Sequence, residues 1–197
     1  MTNSFINPIL SKETLESHII RSEIFKAVSE ACSFFYGRVL DSGCGSMPYK
    51  QFILSNSKVT DYVGLDIASG LNYEDVKPDV LWDGSVMPFE DESFDVVIST
   101  EVLEHVPNPD SYLREVKRVL KPGGMFFFTV PFLMSLHEVP NDYYRYTPYA
   151  LEIILKRNGF STITIKPMGG YNAAMAQLAQ LNNVEKVSHK FNVAPTV

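Results

Sequence analysis

The sequence predicts a single α/β domain, a mostly parallel twisted sheet with helices on both faces. Two patterns carry this prediction. Short β-branched runs such as Phe94 to Ser99 have the continuous apolar character of strands covered on both sides. Stretches with helical apolar spacing stand between those runs, which implies right-handed crossovers within one sheet. With 197 residues, the chain can fill one such core and has little left for a second.

The elements follow in order. Leu15, Ile19, Ile20, Ile24, Phe25 and Val28 mark an amphipathic helix within 11–35. Residues 1–36 therefore read as a helical segment packing on a domain of residues 37–197. Arg38 to Asp41 is a first strand that runs into Gly43-Cys44-Gly45. Asp61 to Asp66 is a second strand, Asp79 to Trp82 a third and Phe94 to Ser99 a fourth. Asn108, Pro109 and Asp110 are an N-cap, an N1 proline and a dipole-matched acid for a helix. Leu113, Val116, Val119 and Leu120 form its buried stripe, and Lys121-Pro122-Gly123-Gly124 stops it. Met125 to Val130 is a fifth strand, Thr147-Pro148 opens a helix that closes at Asn158-Gly159, and the alternation in Phe160 to Ile165 predicts a sixth strand. Ala173 to Leu181 has helical character.

Composition narrows the function classes. Apolar residues make up 45% and charged residues 20%, which is ordinary globular usage. The net charge of −6, without a run of basic residues, argues against a nucleic-acid partner. Cys32 and Cys44 make neither a disulfide framework nor metal-ligand spacing, and no metal site is expected. The opening MTNSFINPILSKET lacks the basic flank and apolar core of a secretory signal. The run Met125 to Met134 is about half of a membrane span. A cytoplasmic protein that does not engage a membrane is expected.

In a parallel sheet, ligands bind outside the carboxyl ends of the strands, where the strand order reverses. After the first strand comes Asp41-Ser42-Gly43-Cys44-Gly45, whose glycines allow a tight turn and close backbone approach. Asp66 ends the second, where a carboxylate can accept from both hydroxyls of a ribose. Asp83-Gly84 follows the third, an acceptor suited to an adenine amino group. Three such features on successive strands point to a nucleoside.

VLDSGCGSMPY, GLDIA, WDGSVMPFEDESFDVVISTEVLEHVPNP and VLKPGGMFFFTVPF together resemble the ordered motifs of class I S-adenosylmethionine-dependent methyltransferases, type 11 subgroup. The resemblance covers about residues 37–166. It implies a Rossmann-like fold, S-adenosyl-L-methionine as cofactor and S-adenosyl-L-homocysteine as product. By that resemblance Asp41, Gly43 and Gly45 face the methionine part, Asp66 holds the ribose and Ile67 packs on adenine. Asp83 and Gly84 border the adenine amino group, while Thr100 and Glu101 border the methionine amino group. Two departures stand out. Ser46-Met47-Pro48 replaces the usual small residues, so Met47 must avoid positive φ or the loop must change shape. Pro48 also breaks the glycine pattern of a nicotinamide site. The family sheet usually ends in an antiparallel hairpin, whose closing strand here is short (Phe191 to Ala194), supplied by another chain, or absent. An unpaired edge would invite a homodimer.

Methyl transfer needs in-line alignment, with a general base where the acceptor is an oxygen or nitrogen. The polar, aromatic stretch His137 to Thr147 follows the fifth strand on the ligand-facing edge. Similar segments in type 11 relatives, some in surface-polysaccharide gene neighbourhoods, suggest a small-molecule acceptor such as a sugar or polysaccharide precursor. His137 is the expected base, Arg145 a clamp for an anionic or hydroxyl-rich acceptor, and His105 a second candidate at the cofactor rim. The alternative is that these residues only order a loop. Ser99-Thr100-Glu101-Val102 lacks the Asn/Asp-Pro-Pro-aromatic tetrad of base-nitrogen methylation. The competing function is a cofactor-binding, non-catalytic partner subunit.

Overall fold

The computed structural model describes residues 3–11, 14–68 and 76–184. Five strands form one parallel sheet: β1 (Tyr36–Ser42), β2 (Lys58–Ile67), β3 (Val80–Trp82), β4 (Phe94–Thr100) and β5 (Leu120–Thr129), in the order β3-β2-β1-β4-β5. Consecutive strands β1 to β3 step one way across the sheet, and β4 and β5 step the other way. The reversal falls between β1 and β4, the place where open α/β sheets bind their ligands.

Alternation along the strands builds two apolar layers. Leu40, Val97, Phe126 and Phe128 face α3 (Pro109–Val119) and α4 (Pro148–Arg157), joined by Leu113, Val116, Leu151 and Leu155. Val39, Val96, Ile98 and Phe127 face α1 (Leu15–Ala31) and α2 (Lys50–Asn56), joined by Ile24, Val28 and Ile53. The α5 helix (Gly170–Val184) packs beside α1, and the Gly169 N–H donates to Glu23 Oε2 at 3.1 Å.

The caps behave as the sequence predicts. Asn108 accepts from the Ser111 N–H at 3.1 Å and Thr147 Oγ1 from the Ala150 N–H at 3.2 Å, each satisfying one free donor of a helix start. Helix α3 ends at Val119, and the residues expected only to stop it are drawn into β5. Phe94 pairs with Leu120 and Val96 with Met125, so Lys121 to Gly124 form an irregular bulge in the ladder.

Two expectations are corrected. Residues Phe160 to Ile165 are not a strand. Only Phe160 and Ile163 are half-buried, a spacing of three rather than two, so no face alternates against the sheet edge. Met47 does take a positive φ, of 52°, while its side chain is buried. The left-handed backbone costs a non-glycine residue about 1–3 kcal/mol, and packing offsets it. A Cβ on Gly64 of β2 would stand 2.5 Å from Met47 Sδ and 2.9 Å from Cys44 Sγ, so the missing side chain there is the room that Met47 fills. The proposed closing strand, Phe191 to Ala194, lies outside the described residues. Among those described, no helix is long and apolar enough to cross a membrane.

Candidate active site

The strand tips are joined through backbone donors. The N–H groups of Gly43 and Cys44 donate to the Leu65 carbonyl at 2.8 and 3.1 Å, continuing the β1–β2 ladder into the turn. Asp66, almost wholly buried, accepts from the Gly45 N–H at 2.7 Å through Oδ2 and from the Ile67 N–H at 2.7 Å through Oδ1. The carboxylate of β2 therefore holds the glycine turn of β1 in place. Each oxygen retains a second lone pair.

Asp41 lies beneath this turn, fully enclosed, with the Tyr62 hydroxyl donating to its Oδ2 at 2.6 Å. Burial raises its carboxyl to about 7; the Tyr62 bond pulls the other way, and the nearby charge of Asp66 adds to the rise. At the switch point the Tyr112 hydroxyl lies 3.0 Å from Ser42 Oγ and 2.9 Å from Ser99 Oγ, pinning α3 to the ends of β1 and β4. Neither tyrosine was expected at the site. Their sequence signal is only that of core aromatics, because the partners come from other strands.

The remaining cofactor candidates sit at the same edge. Ile67 is exposed at the end of β2. Asp83 follows β3, exposed, and accepts from the Ser85 N–H at 2.8 Å; Gly84 beside it takes a positive φ of 84°. Thr100 ends β4, and Glu101 turns out of it with φ of 54° while its N–H reaches the Thr129 carbonyl at 3.1 Å. Burial lifts the Glu101 carboxyl to about 7, and its Oε1 is buried without a partner.

The loop after β5 folds back over the 3-10 turn Leu103–His105. The N–H groups of Tyr143 and Tyr144 donate to the Glu104 carbonyl at 2.9 and 3.2 Å, and the Tyr144 hydroxyl donates to the Pro107 carbonyl at 3.1 Å. This brings His105 and His137 together, with ring centroids 4.7 Å apart, edge to face. Arg145 is spent within the loop. It donates to both oxygens of Asp142 at 2.6 and 2.7 Å and to the carbonyls of Met134, Tyr144 and Ser135. Its hydrogen bonds hold the Asp142 carboxyl at about 2, against the cost of burial, with the His137 N–H adding to the effect.

Glu104 was not anticipated. It is completely buried, neither carboxylate oxygen has a hydrogen-bond partner, and burial, with Glu101 nearby, raises it to about 8. A glutamate in a short polar turn carries no sequence mark of such enclosure.

Residues 40–128 match a family model described as a methyltransferase domain. The fatty-acid O-methyltransferase of Mycolicibacterium smegmatis is 34% identical over 99 residues, covering 47% of this chain and 36% of the relative. A ubiquinone biosynthesis O-methyltransferase from Paraburkholderia phymatum is 35% identical over 105 residues, covering 47% of this chain and 43% of the relative. The chain thus spans about two fifths of the length of these curated relatives. In fold it is similar to the Haemonchus contortus phosphoethanolamine N-methyltransferase 2 solved with S-adenosyl-L-methionine, with a TM-score of 0.58 and 18% identity over 90% of this chain and 50% of that one. Strand order, motif order and the family match agree in likeness: residues 40–128 are similar to a methyltransferase domain, and the sheet is similar to that of a solved methyltransferase.

Proposed function

We propose that the chain binds S-adenosyl-L-methionine at the tips of β1 to β4 and methylates an oxygen or nitrogen nucleophile of a small, hydroxyl-rich molecule held under the loop after β5. The observation that carries this reading is the joint made by Asp66 with the Gly45 N–H, which puts the glycine turn and the β2 carboxylate at one place.

The residues present suit that cofactor. A Cβ built on Gly45 or Gly84 would meet nothing within 4 Å, so open space lies at the tips of both β1 and β3. Asp66 would take the ribose hydroxyls on its free lone pairs, with Ile67 as the apolar neighbour and Asp83-Gly84 toward the adenine amino group. Asp41, Gly43 and Gly45 would border the methionine part. Thr100 and the unpartnered Glu101 Oε1 would receive its ammonium, since a buried acceptor gains most from a charged donor. When bound, the cofactor supplies a methyl carbon made electrophilic by its sulfonium.

On the acceptor side, His137 presents Nε2 toward Glu104 and is the residue that handles the acceptor's proton, with His105 beside it. Arg145 is better suited to a strut than to a clamp, because its N–H groups are directed at loop oxygens. The names of the two curated relatives favour an oxygen acceptor.

The reading is tested by titrating S-adenosyl-L-methionine and S-adenosyl-L-homocysteine into the protein by calorimetry. Asp66→Ala should weaken both by at least about tenfold, the scale of losing charge-assisted hydrogen bonds. His137→Ala should instead lower turnover by about 100-fold with little change in cofactor affinity. Uptake of neither ligand by the unaltered protein, or affinity indifferent to Asp66, defeats the proposal.

A further inference from the structure

We propose that Glu104, His105 and His137 form a binding site for one divalent transition-metal ion, although neither the cysteines nor the spacing of the sequence suggests a metal. One ligand atom from each of the three residues lies within 4.8 Å of the others. Two independent features make this more than proximity.

The first is the tautomer that each ring must adopt. His105 Nδ1 lies 2.7 Å from the Asn141 carbonyl, which only accepts, so that nitrogen carries the proton. His137 Nδ1 lies 3.2 Å from the Ser135 carbonyl and 3.4 Å from Asp142 Oδ2, again two acceptors. Arg145 Nη2 is also 3.4 Å from this nitrogen, but it makes shorter bonds to Asp142 at 2.7 Å and Ser135 at 3.0 Å. The closest group, the Ser135 carbonyl, together with the engagement of Arg145 elsewhere, puts the His137 proton on Nδ1. Both rings then turn a bare Nε2 lone pair inward. An oxygen acceptor behind the distal nitrogen is the usual support that orients a metal-bound histidine and increases its basicity.

The second is what those lone pairs face. His105 Nε2 is 3.7 Å and His137 Nε2 4.0 Å from the same atom, Glu104 Oε1. These separations are too long for hydrogen bonds. Glu104 is wholly buried, with both carboxylate oxygens unpartnered. Two lone pairs and a buried carboxyl group converge there with no hydrogen bond among them, a set of unused ligand atoms that a cation would join. Metal bonds of about 2.0–2.2 Å place neighbouring ligand atoms roughly 3 Å apart, so the triad, spread over up to 4.8 Å, must close by about 1–2 Å. Both rings are half-buried and lie outside the sheet, His105 in the 3-10 turn and His137 in the loop after β5, so the closure needs no change in the strands.

Two imidazoles and one carboxylate suit Fe²⁺, Co²⁺, Ni²⁺ or Zn²⁺ better than Mg²⁺ or Ca²⁺. Three protein ligands leave coordination positions open, as catalytic sites do and closed structural sites do not. Resting on the methyl-transfer reading above, those positions face the side assigned to the acceptor, and an acceptor hydroxyl bound there would ionise more readily. His137 would then act on the acceptor's proton through the ion.

The test uses the full chain, stripped with a chelator and titrated with Co²⁺ under visible absorption and with Zn²⁺ by calorimetry, without cofactor or acceptor. Uptake of about one ion per chain is expected, with the cobalt bands of a nitrogen- and oxygen-ligated site. His105→Ala and His137→Ala should each weaken Zn²⁺ by more than tenfold, and Asp142→Asn, which loosens the support of His137 and the Arg145 strut together, by about 10–100-fold. Metal-free thermal melts identify variants that are simply misfolded; for those, His105→Gln and His137→Gln replace the alanines. No stoichiometric uptake by the unaltered protein, or uptake undiminished in the folded double histidine variant, overturns the site. Calorimetry with S-adenosyl-L-methionine on the same samples reports on the cofactor reading separately.

Discussion

Asp66 and Glu104 are both buried carboxylates at the ligand-facing end of one sheet, and they are enclosed in opposite ways. Asp66 accepts two backbone N–H groups, each at 2.7 Å. Neither Glu104 oxygen has a hydrogen-bond partner, and two imidazole nitrogens stand 3.7 and 4.0 Å from its Oε1. The chain itself satisfies Asp66, through amides whose positions follow from strand geometry. It leaves the Glu104 carboxyl group unpaired, beside two imidazoles. A buried carboxyl group without partners sheds its charge, in line with the rise of Glu104 to about 8, and its unpaired oxygens are what the proposed metal site would use.

The strongest test of this contrast is the strut that holds the acceptor loop. Arg145→Ala strands Asp142, whose side chain is 1% exposed, and should cost about 3 kcal/mol in urea denaturation. A loss below about 1 kcal/mol would mean that the loop is held by its backbone, as the strand tips are. A smaller effect separates the two carboxylates directly. In metal-free protein, Asp66→Asn should destabilise by about 1–3 kcal/mol, because an amide nitrogen would then face a backbone donor. Glu104→Gln should cost nothing or stabilise, since it removes only an unpaired acid. Thermal melts in which both variants lose the same amount would erase the distinction.

The smallest effect concerns pH. Burial raises Asp41 to about 7 in the folded protein, above the ordinary carboxylate range. The folded state therefore holds a proton that the unfolded chain has released, and stability falls as pH rises from about 4 to about 7. Asp41→Asn keeps the acceptor for the Tyr62 hydroxyl and removes that titration. The fall in melting temperature across this window should become shallower, with Glu101 and Glu104 accounting for what remains. An unchanged slope would show that Asp41 is ionised where it lies.

The sheet was legible because each β-branched run and each glycine or aspartate after it obeys local rules. β1, β2 and β4 appear where the sequence places them, and Asn108 and Thr147 cap the helices as predicted. The sixth strand misled because alternation in Phe160 to Ile165 reports polarity, whereas a strand also needs a neighbour's ladder. Met47 was legible as an anomaly, yet its resolution lies in Gly64, seventeen residues away and visible only once β2 lies beside the turn. The cluster around Glu104 had one visible member in each of two segments. Its meaning depends on a loop crossing from residues 141–144 to the 3-10 turn, which no periodicity encodes.

The reversal of strand order between β1 and β4 has a consequence for how such a chain can change. Because β1 to β3 run off to one side, an exchange confined to the loop between β5 and α4 would leave their tips in place. On the function proposed above, selection or a protein engineer could redirect the chemistry through that loop while the other strand tips stay fixed.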